Sequence, residues 1–370
     1  MTRRGNNEGT IRKRTDGRWE ARVSVNGRQR SVYGKTRDEV SRKLRAAQQS
    51  VDQGMPMHNE RTTVAQFLEQ WLQTAVRVSV RPSTLKSYTG HITGHIVPAI
   101  GTVPLVKLQP QHVQRMINAL LESGLSPSTV LRVRATLRRS LNQAMKWDMV
   151  SRNVATLVTP PKVERFRVEP LTAEEALAIL QVVKPHRLEA LYTLLLGSGL
   201  RLGEALGLRW EDVDLEQGHL TVRYALQRID GAHQLVAPKS RSSRRTVSLP
   251  QFALHALRRH RERQELERHV WTDTNELNLV FTTLAGRPLD GPAANSTFKR
   301  LLKSADLRPL RLHDLRHGYA SLLLAKGVHA RVVMELLGHS QISLTLDTYS
   351  HVIPALQHEA VDRLDDLLSV

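Results

Sequence analysis

The stretch "RPLRLHDLRHGYAS", residues 308–321, carries two histidines, His313 and His317, four positions apart, with Asp314 and Arg316 between them. Read as a helix, that spacing puts both imidazoles on one face, roughly 6 Å apart at Cβ. Two chemistries use such a pair. A zinc hydrolase takes both rings as ligands; a phosphate site sets them beside a guanidinium, with one histidine moving a proton. The zinc-protease pattern HExxH has glutamate after its first histidine, whereas here Asp314 stands there and Arg316 would put a cation beside the metal. No third-ligand motif accompanies the pair, and the chain has no cysteine. The phosphate reading is favoured, and neither a metal nor another cofactor is expected.

The composition points the same way. Lys and Arg number 54 against 35 Asp and Glu, a net charge of +19. Such a balance indicates a polyanionic partner, nucleic acid or an anionic membrane surface. No segment approaches the roughly 18 uninterrupted apolar residues of a membrane span, so a cytoplasmic protein is expected. The charge is also uneven. Residues 1–60 hold 14 basic and 7 acidic residues, residues 61–160 hold 12 and 3, and the remaining 210 hold 28 and 25. A basic front half that grips nucleic acid, joined to a near-neutral back half that does chemistry, fits this division.

Four segments follow along the chain: 1–60, 61–158, a linker at 159–170, and 171–370. Residues 9–35 alternate β-branched or aromatic residues with basic ones, and Asp16-Gly17 and Asn26-Gly27 are hairpin-turn signals. Three antiparallel strands and a helix over 36–53 are expected. One sheet face would carry a selection of Arg12, Arg14, Arg18, Arg22 and Arg28, a small DNA-binding module of the kind that enters a groove. From Thr62 a four-helix unit is expected, with Val64, Phe67, Leu68, Trp71 and Leu72 on one apolar face. Ser83 or Thr84 is the expected cap of its second helix; Ser126-Pro127 opens the last, at 127–148. The polar face of that helix carries Arg132, Arg134, Arg138, Arg139 and Lys146, placed for phosphate contact. "TPPKVERFRVEP" (159–170) has three prolines and no periodicity, hence the linker. Thr172 caps a helix beyond it, strands surround a turn near Lys239, and helices fill most of the rest. Overall the expected fold is mostly α with small β-sheets, an α+β class.

Chemistry gathers in four stretches of this last segment. "GSGLRLGEALGLRW" sets Arg201 at a helix start, where backbone N–H groups favour an anion, with Glu204 placed to hold the backbone or an arginine. "PKSRSSRRTV" puts Lys239 in a turn ahead of Arg244 and Arg245. The histidine stretch is the third. "LLGHSQISLTLDTYSHV" separates His339 from Tyr349 by ten residues. In this order and at these intervals, "GLRLGE", "HDLRHGYAS" and "LGHSQISLTLDTYSHV" resemble the motifs of the tyrosine recombinases, the phage integrase family. The resemblance covers 171–352 through motifs. It extends to a helical core-binding domain and, more loosely, to an arm-type DNA-binding sheet.

That resemblance implies a catalytic domain of the DNA breaking–rejoining type. Tyr349 would be the nucleophile that forms a 3′-phosphotyrosyl link. Arg201 and Arg316 would clamp the non-bridging oxygens and Lys239 would protonate the leaving 5′-oxygen. His313 would act as general acid/base, and His339 would hydrogen-bond the phosphate. It further implies double-stranded DNA attachment sites, a homo-tetramer passing through a Holliday junction, and a host bending or excision factor as accessory partner. Competing readings are a cellular resolution recombinase, a type IB topoisomerase, and a DNA-binding regulator without catalysis; the last predicts a missing catalytic position, and all six are present. His317 reads as a supporting residue and Tyr319, inside "YASLLLA", as core. The C-terminal stripe Val361, Leu364, Leu367 and Leu368 packs either on its own domain or on a neighbouring protomer.

Overall fold

A computed structural model describes residues 10–25, 28–52, 61–163, 169–237, 244–273 and 275–338 of the 370. Lys239, His339, Tyr349, the Asn26-Gly27 turn and the C-terminal stripe lie outside the described residues. The chain divides into two units, Met1–Arg165 and Phe166–Val370. Each is helical with small antiparallel sheets, the expected α+β class.

In the first unit, β1 (Thr10–Lys13), β2 (Trp19–Val25) and β3 (Arg28–Gly34) form a sheet in that order, backed by α1 (Arg37–Asp52). The turn between β1 and β2 uses Gly17 at φ +80°, where a side chain would be strained. Alternation along the strands sends Ala21 against Val40 and Leu44, flanked by Ile11, Trp19 and Val32. The same alternation puts Arg12, Glu20, Arg22, Ser31 and Tyr33 on the other face, with Glu20 opposite Arg12 and Tyr33.

The helices that follow are α2 (Val64–Trp71), α3 (Pro82–His91), the short α4 (Val97–Ile100), α5 (Pro110–Glu122) and α6 (Pro127–Lys146). A turn of π-helix extends both α2 and α3, so α3 and α4 run as one rod. Val64, Phe67, Leu68 and Trp71 are buried, as their spacing predicts. Trp71 stacks on Tyr88 at 5.7 Å, and Phe67 meets Trp147 edge-on at 6.2 Å. The cap of α3 is a correction. Arg81, extended, precedes Pro82 at the first helical position, so the helix begins ahead of Ser83 and Thr84. Proline's fixed φ suits that position and set the boundary. Ser126 caps α6 as read, its hydroxyl accepting from the Thr129 N–H.

In the second unit, α7 (Ala173–Val183) opens with a reciprocal box between Thr172 and Glu175. The buried α8 (Glu189–Ser198) leads through Gly199 to α9 (Leu202–Leu206). Two small sheets follow. Strands β4 (Val213–Asp214), β5 (His219–Val222) and β8 (Arg245–Ser248) form one, and β6 (Ala225–Ile229) pairs with β7 (Ala232–Val236) in the other. Asp230-Gly231, both at positive φ, makes the β6–β7 turn. Residue 239 falls between β7 and β8 in sequence. Helices α10 (Gln251–Glu267), α11 (Gly291–Ser304), α12 (Leu312–Ala325) and α13 (Ala330–Leu337) complete the unit; one large core includes Leu191, Phe281 and Phe298, and α13 packs on the second half of α12 in a smaller one. Among the described residues, no helix is long and apolar enough to cross a membrane.

Candidate active site

Arg201 stands at the N-cap of α9, but the anion it meets there is its own neighbour. The Glu204 carboxylate accepts from the Arg201 backbone N–H at 3.0 Å and from its Nη1 at 2.7 Å. This answers what Glu204 holds: both backbone and guanidinium. The anion that the backbone N–H at this helix start favours is thus the Glu204 carboxylate. Arg201 keeps 40% of its side chain exposed, and its Nη2 reaches the Gly338 carbonyl at 3.4 Å.

Arg316 comes from the middle of α12 and is 2% exposed. Its Nη1 donates to the Gly199 carbonyl at 2.5 Å and its Nη2 to the Leu337 carbonyl at 2.6 Å. Two sequence-distant arginines thus converge on the carbonyls of adjacent residues, Leu337 and Gly338. These are orphan carbonyls at the C-terminal, electronegative end of α13, where cations are favoured. Gly199 and Gly338 are both left-handed, at φ +60° and +64°, and end α8 and α13. A Cβ on Gly199 would also meet the Tyr319 ring at 2.5 Å. Close packing of these two helix ends therefore needs glycine.

Sequence reading missed one member of this group. Arg245, the first residue of β8, donates from Nε to the Leu336 carbonyl at 2.8 Å and from Nη2 to Glu204 at 3.1 Å. Glu204 is 5% exposed, yet its pKa lies below the usual carboxylate range. Burial alone would raise it; the charges of Arg245 and Arg201, with the Arg201 backbone N–H, overcome that. The signal available in the sequence was an arginine opening a strand a short way after Lys239.

His313 and His317 both lie on α12, their rings edge-to-face with centroids 4.9 Å apart. Desolvation lowers the pKa of both, that of His317 to about 4. For His313, nearby Arg316 pushes further in that direction and Arg201 adds a smaller push, while Asp314 opposes them. The charges of Arg316 and Arg201 therefore both bear on His313, in the same direction as its burial. Asp314 is engaged with Arg311, accepting its backbone N–H at 2.7 Å and its Nη2 at 2.8 Å. Tyr319 sits at the edge of the small core made by Ala320, Leu324, Val333 and Leu337, half-buried instead of central. No group of three or more His, Asp or Glu placed to hold a metal occurs among the described residues.

A second candidate surface is the open sheet face of the first unit. Glu20, 1% exposed, accepts from Arg12 at 2.7 Å, Arg22 at 3.1 Å and the Ser31 hydroxyl at 2.8 Å. The Ser31 and Arg12 hydrogen bonds hold its pKa down at about 2. Arg14 lies over the Tyr33 ring at 5.3 Å and pairs with Asp16 at 3.4 Å. On α6, Arg132, Arg138 and Arg139 are exposed, and Arg139 donates to the Tyr88 hydroxyl at 3.0 Å. Arg134 departs from the expected polar face; partly buried, it turns towards the Val158 carbonyl at 3.5 Å.

Comparison with known proteins identifies the family. Residues 169–355 match the phage integrase family, and residues 63–121 match its N-terminal SAM-like domain. A tyrosine recombinase XerC-like protein of Caldanaerobacter subterraneus subsp. tengcongensis is 32% identical over 358 residues, spanning 91% of this chain and 92% of the relative. An integrase of Saccharopolyspora erythraea is 28% identical, spanning 98% of this chain and 97% of the relative. Among solved structures, the Tn1549 transposon integrase in complex with transposon right end DNA superposes with a TM-score of 0.71 at 22% identity, covering 82% of this chain and 99% of that one. A lambda integrase dimer bound to a core site gives 0.59 at 18% identity, covering 94% and 96%. With its arginines gathered at the end of α13 and matches over both halves of its length, the chain belongs to the phage integrase family and is a site-specific tyrosine recombinase.

Proposed function

We propose that this recombinase integrates or excises a phage-like mobile element, without a metal ion, through Tyr349. The observation that carries the reading is the convergence of Arg201 and Arg316 on Leu337 and Gly338, immediately before His339 in the chain. In the proposed reaction the Tyr349 phenol oxygen attacks a DNA phosphorus. His313, whose burial favours the uncharged ring, takes the phenol proton. The bond to the 5′-oxygen breaks as Lys239 protonates it, leaving a 3′-phosphotyrosyl link and a free 5′-hydroxyl. Arg201, Arg316 and His339 bear the charge that develops on the non-bridging oxygens. Fixed cations and N–H donors do this without reorganising, which is the role a metal would otherwise serve. The link conserves the phosphodiester, so a 5′-hydroxyl from a second duplex reverses the steps and joins the strands.

Two duplexes exchanged one strand pair at a time require four active sites, hence a homo-tetramer and a Holliday junction. The sheet face of Arg12, Arg14 and Arg22 serves as an arm-type contact, and Arg132, Arg138 and Arg139 on α6 meet phosphates of the core site. Segments 1–60, 61–158 and 171–370 then act as arm-binding, core-binding and catalytic domains, in the cytoplasm, with a host bending or excision factor as accessory partner. Incubation with a duplex from the DNA flanking its gene, nicked to release the 5′-hydroxyl fragment, tests the reading. A covalent protein–DNA adduct is expected in EDTA, lost in Tyr349→Phe while DNA binding persists. An adduct that required divalent metal, or that survived the substitution, would refute it.

A further inference from the structure

We propose that Arg245 is a positioning residue for the phosphate clamp, holding Arg201 in register with the end of α13 through the Glu204 carboxylate. The inference rests on the recombinase reading above. Its basis is a closed chain of contacts. From the Leu336 carbonyl it runs through Nε and Nη2 of Arg245 to Glu204, then through Arg201 to the Gly338 carbonyl. The chain leaves α13 and returns to it two residues later. It thereby fixes the start of α9, the start of β8 and the last turn of α13 against one another. In sequence, these are the points from which Arg201, Lys239 and His339 are hung.

Both inner members are withdrawn from water, with side-chain exposures of 8% for Arg245 and 5% for Glu204. An exposed pair would move with solvent and position little. The planar guanidinium matters here, since its donors diverge to span a carbonyl and a carboxylate at once; an ammonium is a single point. Arg245 reaches Arg201 through the Glu204 carboxylate, and Arg201 keeps an exposed edge. Arg201 acts on substrate in the proposed reaction, and Arg245 acts on Arg201.

The test is single-turnover cleavage of the nicked duplex by the full chain, with DNA affinity measured in parallel. Arg245→Met and Arg245→Lys are each made in the wild-type and Arg201→Lys backgrounds. A displacement of about 1 Å in a reacting group costs on the order of 10²-fold, so Arg245→Met should slow cleavage by about that factor with affinity unchanged. In the Arg201→Lys background the further loss should be less than about threefold, because partners in one network do not add. If Arg245 only held the fold together, cleavage would fall by the same factor in both backgrounds; that result, unchanged cleavage, or a loss that tracks affinity overturns the proposal. Should the methionine variant not fold, the lysine variant carries the same comparison. Absence of any adduct from the wild-type chain would overturn the recombinase reading as well, whereas a normal wild-type adduct with equal factors overturns this inference alone.

Discussion

Glu20 in the first unit and Glu204 in the second are both buried carboxylates held by two arginines, and their surroundings differ. Arg12 and Arg22 leave 57% and 43% of their side chains exposed. Around Glu204 the corresponding figures are 40% for Arg201 and 8% for Arg245, and both guanidiniums continue to carbonyls at the end of α13. The sheet cluster is tied through Glu20 alone, and its arginines keep much of their length in solvent. The α13 cluster is tied at both ends. For binding, charge near the surface is enough, and adjustment costs little. Stabilising a transition state needs donors already in place. On the proposed function, the same carboxylate–arginine device would serve recognition in one unit and preorganisation in the other.

The largest effect that separates the two clusters belongs to Arg316. Arg316→Lys removes a fork that reaches Gly199 and Leu337 together. Single-turnover cleavage should fall by about 10²–10³-fold with DNA affinity nearly unchanged. A loss of affinity with normal cleavage would place Arg316 among the recognition arginines.

A smaller separation concerns acid. Burial lowers the pKa of His260 to about 4 from an ordinary 6.5; its Nε2 faces the Val280 carbonyl at 2.7 Å and its Nδ1 faces Arg263 at 3.0 Å. Because the folded pKa is depressed, the unfolded chain binds the proton first. Stability is therefore full above pH 6.5 and falls as pH drops towards 4, by about 3 kcal/mol from this residue. His317 acts in the same direction over the same window. Glu20, held at about 2 against an ordinary 4.5, keeps its contribution down to pH 4.5 and loses it only below. Hydrogen exchange at pH 7 and pH 5 should show loss of protection in α10 and α12 but not in β1–β3. The loss in α10 should shrink in His260→Gln. Equal loss in both units would contradict these assignments.

Much of this was legible in the sequence, for local reasons. Helix caps at Thr172 and Ser126, the Asp16-Gly17 turn and the apolar face of α2 are set within a few residues. The spacing from Arg201 to Arg316 was readable as a motif, though not as a contact. What escaped depends on tertiary pairing. Strands β5 and β8 pair across a hairpin that lies between them, so the sequence marks Arg245 as an arginine opening a strand near Lys239 but not as one that faces Glu204 and α13. Glu20 reads as a solvent-facing residue by alternation, and it does lie on the outer face; its burial comes from the arginines, serine and tyrosine that close over it. Arg81 went unread as a cap because its side chain makes no capping bond, and the following proline alone fixes the helix start.

The division of labour is tested most directly by two conservative substitutions in one assay, Glu204→Gln and Glu20→Gln, reading single-turnover cleavage and DNA affinity together. Glu204→Gln should slow cleavage by roughly tenfold or more at unchanged affinity, because the clamp loses its anchor. Glu20→Gln should change arm-site affinity by a few-fold and leave cleavage of a core site untouched. The reverse pattern, or the same pattern in both variants, would contradict the account.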